Sequence, residues 1–199
     1  GVWLDVESES QYWPYLAEKI ALCKEEFPNK MLGTNTCVLQ SDYAAQLHEY
    51  VNTVKPIMLS FDQYPLVGDT IRTEWLGYVA ITRCIARQYG LVSGNWIQMT
   101  GDYWGLRCTT ERDLRWQIAV CMAYGFHIIQ EYSYSGFDAQ AARLPEAHSE
   151  KLFTEDGERT ELYNIVKKVN NEVHNWGYIY KSFEWYGTAI YKGAAGYNM

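Results

Sequence analysis

The sequence has 199 residues, of which 48% are hydrophobic and 21% are charged, a composition typical of one soluble globular domain. Its net charge of −7, with no cluster of basic residues, argues against a nucleic-acid partner. No apolar run approaches the roughly 20 residues that a membrane-spanning helix needs, so no membrane contact is expected.

Predicted strands and helices alternate along the chain. Apolar runs that end in turn-forming or polar residues predict five strands, at 1–5, 31–38, 57–61, 93–101 and 126–135. Apolar residues spaced three and four apart predict helices between them, at 10–27, 41–54, 70–88 and 109–125, followed by a long final helix. In that last helix the inward face is predicted to hold Leu162, Ile165, Val166, Val169, Val173 and Trp176.

Local signals mark several helix boundaries. Pro14 is tolerated because it falls in the first helical turn, where backbone amides have no intrahelical partner. Ser41 or Asp42 can cap the second helix, and Gly90 is a helix stop. These signals place helix ends at the positions that the spacing of the apolar residues also predicts.

Repeated strand–helix units are typical of a parallel sheet covered by helices, in which strands buried on both faces read as continuous apolar runs. We therefore predict an α/β fold of parallel βα repeats. No linker divides the units, so residues 1–185 are expected to form one layered unit. Residues 186–199 break the pattern and are predicted to begin an accessory β segment or tail.

Polar side chains stand where each predicted strand gives way to its loop. In parallel α/β folds these strand ends lie on one side, which in (β/α)8 barrels holds the active site. We therefore expect a shared pocket, with tryptophans nearby at Trp96 and Trp104. Its predicted polar members are Glu7, Asn35, Asp62, Tyr64, Gln98, Glu131 and Tyr132.

The sequence lacks the motifs of several other chemistries. It has no nucleophile elbow, phosphate-binding loop or paired histidines, and its five cysteines lack metal-ligand spacing. No metal and no cofactor are therefore predicted. Two carboxyl groups facing each other across a pocket are what glycosidic bond cleavage requires, and aromatic faces and amides suit a sugar.

Five segments resemble the later part of (β/α)8-barrel glycoside hydrolases, most closely a β-galactosidase-like bacterial group of polysaccharide degraders. They read GVWLDVES, IMLSFDQYPL, NWIQMTG, LRWQIAVCMAYGFHIIQEYSYS and DGERTELYNIVKKVNNEV. The resemblance runs from Gly1 to about Trp185 and implies strands four to eight of a TIM barrel. Five strands do not close a barrel of eight. The chain is therefore expected to be a fragment, to be completed by another chain or segment, or to form a homo-oligomer.

The resemblance also implies roles for individual residues. Glu7 takes the place of the group's acid/base glutamate, although Val6 and Ser8 replace the Asp and Pro that flank it there. Asp62 matches the group's D-x-Y-P motif. Gln98 stands where the wider clan has its nucleophilic glutamate, so Asp62 or Glu131 would have to replace that group in a retaining mechanism, whereas Glu7 and Glu131 could suit an inverting one.

The function expected from these residues is glycoside hydrolysis, with a poly- or oligosaccharide as substrate and Glu7, Glu131 and Asp62 as catalytic carboxyls. The alternative is a carbohydrate-binding or structural barrel that has lost its catalytic pair. A secreted or periplasmic location is favoured if a signal segment lies upstream of Gly1. The expected substrate-binding residues are Asn35, Tyr64, Trp96, Gln98, Trp104 and Tyr132.

Overall fold

The computed structural model describes residues 2–37, 41–99, 101, 105–132, 152–154 and 156–189. The predicted site residue Trp104 lies outside these ranges, as do the last ten residues of the predicted tail. The tail residues that are described, up to residue 189, contain no strand.

Strands and helices alternate in the order that the sequence predicts. The strands are β1 (Val2–Val6), β2 (Leu32–Asn35), β3 (Met58–Phe61), β4 (Leu66–Val67), β5 (Thr70–Ile71), β6 (Val92–Gln98) and β7 (Ile128–Tyr132). The helices of the described residues are α1 (Trp13–Glu26, after one 3-10 turn), α2 (Tyr43–Val54), α3 (Trp75–Gln88), α4 (Glu111–Ala123) and α5 (Glu161–Tyr180).

The five long strands are parallel, as predicted. β1 pairs with β2, and β6 pairs with both β3 and β7. The two sheets meet between β2 and β3 through one parallel bridge from Thr36 to Phe61, where the Thr36 amide donates to the Ser60 carbonyl at 2.9 Å. The five strands therefore lie side by side in chain order, with their carboxyl ends at one edge.

The third helix begins later than predicted. A start at Thr70 was expected, but Thr70 and Ile71 form β5, which pairs antiparallel with β4. The turn between them begins at Gly68, whose φ of 50° lies in the left-handed region that glycine adopts readily. Pairing across this turn satisfies backbone groups that would otherwise start a helix, so α3 begins at Trp75.

The core lies between the sheet and its helices. Leu59 and Phe61 of β3 are fully buried, and so are Leu47 of α2 and Val79 of α3. The inward face of α5 ends earlier than predicted, because Trp176 is 61% exposed. The buried part of this helix comprises Leu162, Val166 and Val169.

Candidate functional site

Three of the predicted polar residues meet where β1, β2 and β3 end. Glu7 follows β1, Asn35 closes β2, and Asp62 follows β3. The Glu7 amide donates to the Asn35 carbonyl at 3.2 Å, which ties the first two strand ends together. Glu7 has a φ of 62°, an uncommon value for a residue other than glycine. This backbone turn takes Glu7 out of the strand and leaves it exposed beside Asp62.

Glu7 and Asp62 form a carboxyl pair. Burial raises the pKa of Asp62 to about 9, and the neighbouring Glu7 adds to the shift through a side-chain hydrogen bond and through charge repulsion. Asn35 acts in the opposite direction on this pKa. Burial beside Glu7 therefore favours the protonated form of Asp62.

Two polar atoms of this cluster have no hydrogen-bond partner. The Asn35 Oδ1 atom accepts from the Ser60 hydroxyl at 3.0 Å, but the Asn35 Nδ2 atom is buried and makes no hydrogen bond. The Asp62 Oδ1 atom is likewise buried without a partner. Buried polar groups in folded proteins are normally satisfied, and the lowering effect of Asn35 on the pKa of Asp62 indicates that these two side chains lie within reach of each other.

Cys37 is a member of the cluster that the sequence did not single out. Burial is the main cause that raises the pKa of its thiol to about 12, and the negative charges of Glu7 and Asp62 raise it further. The thiol therefore stays protonated and is a poor nucleophile. In the sequence, only its position two residues after Asn35, at the same strand end, indicates that Cys37 belongs to this cluster.

Aromatic residues lie on the sheet face opposite to the helices. Tyr64 and Tyr132 stack with ring centroids 5.4 Å apart, and Trp96 meets Trp3 edge to face, also at 5.4 Å. Gly33 permits this packing, because a Cβ atom there would lie 2.1 Å from the Trp3 ring. Both indole nitrogens are buried without a hydrogen-bond partner.

Gln98 is bound to the backbone of neighbouring loops. Its Oε1 atom accepts from the Leu66 amide at 2.9 Å, and its Nε2 atom donates to the carbonyls of Leu66 and Arg107 at 3.0 and 2.8 Å. Both ends of the amide are therefore occupied, and Gln98 fixes β4 and the segment at Arg107 against β6.

Glu131 is not brought to the Glu7–Asp62 pair. Neighbouring residues of a strand point to opposite faces, and Glu131 shares the helix-facing side with Ile129. It lines a cavity of about 470 Å³ with Asn170 and His174 of α5. Burial raises its pKa, and a hydrogen bond with Asn170 partly offsets the shift.

The described ranges contain neither a metal-binding cluster nor a membrane-spanning helix. No group of three or more His, Cys, Asp or Glu side chains there could hold a metal ion. None of the described helices combines the length and apolar character of a membrane span.

No family model matches the sequence, and a search of curated proteins finds no match. Solved structures do match in fold. A candidate α-L-fucosidase of Bacteroides thetaiotaomicron has a TM-score of 0.59 at 8% identity, over 86% of this chain and 56% of that one. The β-galactosidase of a psychrophilic Marinomonas has a TM-score of 0.57 at 14% identity, over 85% of this chain and 27% of that one. The β-glucuronidase of Lactobacillus rhamnosus has a TM-score of 0.52 at 10% identity, over 83% of this chain and 31% of that one.

These three structures share a fold with this chain. All three are glycoside hydrolases by name, and the mixed α/β architecture with parallel sheets is similar to glycosidase TIM-barrel domains. The chain spans between 27 and 56% of their length. The likeness therefore concerns one part of each hydrolase.

Proposed function

We propose that this chain carries part of the active site of a glycoside hydrolase of the β-galactosidase-like bacterial group, with a poly- or oligosaccharide as substrate. The observation that carries the proposal is the Glu7–Asp62 pair at the carboxyl ends of neighbouring parallel strands. The fold likeness to three proteins named as glycosidases supports it. In this assignment the chain supplies strands four to eight of a (β/α)8 barrel.

The pair is suited to donating a proton. Glycosidic bond cleavage needs a carboxylic acid that is still protonated at the working pH, and Asp62 meets this requirement because it is buried beside a second carboxyl. Asp62 would protonate the leaving oxygen of the sugar and become a carboxylate, which would regain its proton from water after the step. We thus assign the proton to Asp62, where sequence reasoning had assigned it to Glu7.

The pair by itself does not complete the reaction. Its two carboxyls share a hydrogen bond, whereas the two carboxyls that flank a glycosidic bond are separated by about 5–5.5 Å in retaining enzymes and by about 6.5–9.5 Å in inverting ones. The second carboxylate must therefore face the pair across the sugar. Glu131 lies on the helix side of β7, so we expect that group to come from the part that completes the barrel.

The test is hydrolysis of nitrophenyl fucosides, galactosides and glucuronides by this chain joined to the part that completes its barrel. Asp62→Asn and Glu7→Gln should each lower kcat about 100-fold or more, since general acid catalysis is typically worth about that much. Asp69→Asn, in the exposed turn between β4 and β5, is the control and should leave kcat unchanged. Full activity of Asp62→Asn would remove the assignment.

A non-catalytic carbohydrate-binding role is the second candidate. The observation that favours it is Gln98, because this residue stands where a nucleophile is expected and both ends of its amide are bound to backbone. Titration calorimetry with the corresponding free sugars separates the two candidates. Sugar binding without turnover in the completed barrel would favour the binding role.

A further inference from the structure

A further cavity lies at the opposite end of the strands from the Glu7–Asp62 pair. The helices that follow parallel strands run back along the sheet, so the carboxyl ends of α3, α4 and α5 lie near the start of β7, away from Glu7 and Asp62. Together they enclose a cavity of about 690 Å³, within the range of small-ligand sites. Its charged and aromatic lining includes Arg83, Arg87, His127, Lys181, Glu184 and Trp185.

Among the described residues, Arg83 is a buried cation without an anionic partner. The residue is only 7% exposed, and its Nε atom is buried and makes no hydrogen bond. Its guanidinium lies 4.8 Å from the centre of the Trp185 ring, and none of the ion pairs in the described ranges includes it. Burial lowers the pKa of Arg83, and the nearby Arg87 adds to this effect. A buried charge is costly unless it is paired, so a bound anion would stabilise this side chain.

The cavity is positive although the chain is acidic. The sequence carries a net charge of −7, yet Arg83, Arg87 and Lys181 line this cavity against one acid, Glu184. Neither Arg87 nor Lys181 forms an ion pair with another described residue. The carboxyl ends of the three helices offset part of this side-chain charge, and the positive charge that remains favours an anionic ligand over a neutral one.

The aromatic wall of the cavity is held in place. The Trp185 Nε1 atom donates to the Thr188 hydroxyl at 2.9 Å, and that hydroxyl donates to the Ala123 carbonyl at 2.8 Å. Gly125, with a φ of 72°, lies against Trp185, because a Cβ atom on Gly125 would stand 2.3 Å from the Trp185 Cβ atom. Arg87 donates to the Tyr186 carbonyl at 3.0 Å. The indole is therefore fixed beside the two guanidiniums before any ligand arrives.

We propose that this cavity binds an organic oxyanion, namely a ring that carries a phosphate or carboxylate group. Arg83 and Lys181 bind the oxyanion, and the indole of Trp185 packs against the ring. Guanidinium groups match both oxyanions through paired N–H donors, and a flat indole offers an apolar surface to a ring. The site lies apart from the Glu7–Asp62 pair, so it stands or falls independently of the proposed hydrolase activity.

The test is titration calorimetry of the full chain with phenyl phosphate and with benzoate. We expect saturable binding of at least one, with a Kd of about 1 mM or tighter, and no binding of the neutral ring phenol. Phenyl phosphate binding without benzoate binding would identify a phosphate site, and the reverse a carboxylate site. Absence of binding by both at about 10 mM would overturn the proposal.

Two variants test the residues that bind the oxyanion. Arg83→Met and Lys181→Gln should each weaken binding about tenfold, which corresponds to ~1.4 kcal/mol. Arg112→Gln, on the exposed side of α4, is the charge-matched control and should bind as the wild type does. Lys181 is exposed, so its variant serves as the test if Arg83→Met does not fold. Unchanged affinity in Lys181→Gln and in any folded Arg83→Met would overturn the proposal, because Arg83 would then only support Trp185.

Discussion

At the scale of single residues, Asp62 links the candidate site to stability. Its folded pKa of about 9 lies far above the ordinary pKa of an aspartate, 3.8, so between these two pH values the folded state holds a proton that the unfolded state releases. Stability from this group is therefore fully present at low pH and is lost as pH rises towards 9. Each pH unit by which the folded pKa exceeds the unfolded pKa corresponds to about 1.4 kcal/mol in the free energy of unfolding.

Asp62→Asn should accordingly make the chain more stable than the wild type in mildly alkaline solution, and should change it little in mild acid. The asparagine carries no proton to lose, so the fall in stability with rising pH should flatten. Urea unfolding measured at several pH values gives the comparison, with Asp69→Asn as the exposed control. Equal pH dependence in Asp62→Asn and the wild type would contradict the assignment of the raised pKa.

Residue patterns predicted part of the candidate site. Polar strand ends in a parallel sheet led us to expect Glu7, Asn35 and Asp62 at one place, and these three residues follow or close neighbouring parallel strands that end at the same edge. The same reasoning did not separate the two faces of a strand. Glu131 belongs to the helix side, and the amide of Gln98 is used to hold loops. Such facing depends on register and loop path, which a single strand's sequence does not specify.

At the scale of elements, α4 is fixed by its first turn. The Thr110 hydroxyl accepts from the Asp113 amide, and the Asp113 Oδ2 atom accepts from the Thr110 amide at 3.0 Å, which together form a capping box. Arg107 binds both carboxylate oxygens of Asp113, at 2.6 and 2.7 Å. This ion pair is the main cause that lowers the pKa of Asp113 to about 2, and the hydrogen bonds with Thr110 lower it further.

Asp113→Ala should destabilise the fold by about 2–3 kcal/mol, because it removes a cap and leaves Arg107 unpaired. Arg112→Ala, an exposed neighbour on the same helix, should change stability by less than about 0.5 kcal/mol. Denaturant unfolding near neutral pH measures both. A loss in Asp113→Ala no larger than in the control would show that the box does not stabilise α4.

Hydrophobic period and capping residues located most elements. The predicted cap Asp42 accepts from the Ala45 amide at 3.0 Å, and the predicted stop Gly90 has a φ of 68°. Two predicted boundaries differ from the structure, one at the start of α3 and one on the buried face of α5. A tight turn at Gly68 replaced the first turns of α3, and Trp176 is exposed because the buried face of α5 ends at Val169.

At the scale of the whole molecule, the parallel sheet has two open edges. Within the described ranges, β1 pairs on one side with β2, and β7 pairs on one side with β6. Unpaired strand edges favour pairing with another chain or segment. This feature agrees with the proposal that further βα units, a second chain or a second copy complete the sheet.

We therefore expect the chain on its own to associate as its concentration rises, and to remain monomeric when it is joined to the part that completes its barrel. Light scattering over a concentration series measures the change in mass. Asp113→Ala, which removes a helix cap and not a strand edge, offers a comparison for association caused by lower stability alone. A chain that stays monomeric at every concentration would contradict the open-edge proposal.

The sequence by itself determined the alternation of strands and helices, their parallel direction and the edge at which polar residues gather, because these follow from periodicity and chain connection. The tertiary structure alone decided which side chains meet. It buried Asp62 beside Glu7, which raises the pKa of Asp62, and it turned Glu131 to the helices. It also gathered Arg83 and Lys181 around Trp185 at the opposite end. Burial and charge proximity depend on contacts between distant segments, so local pattern does not encode them.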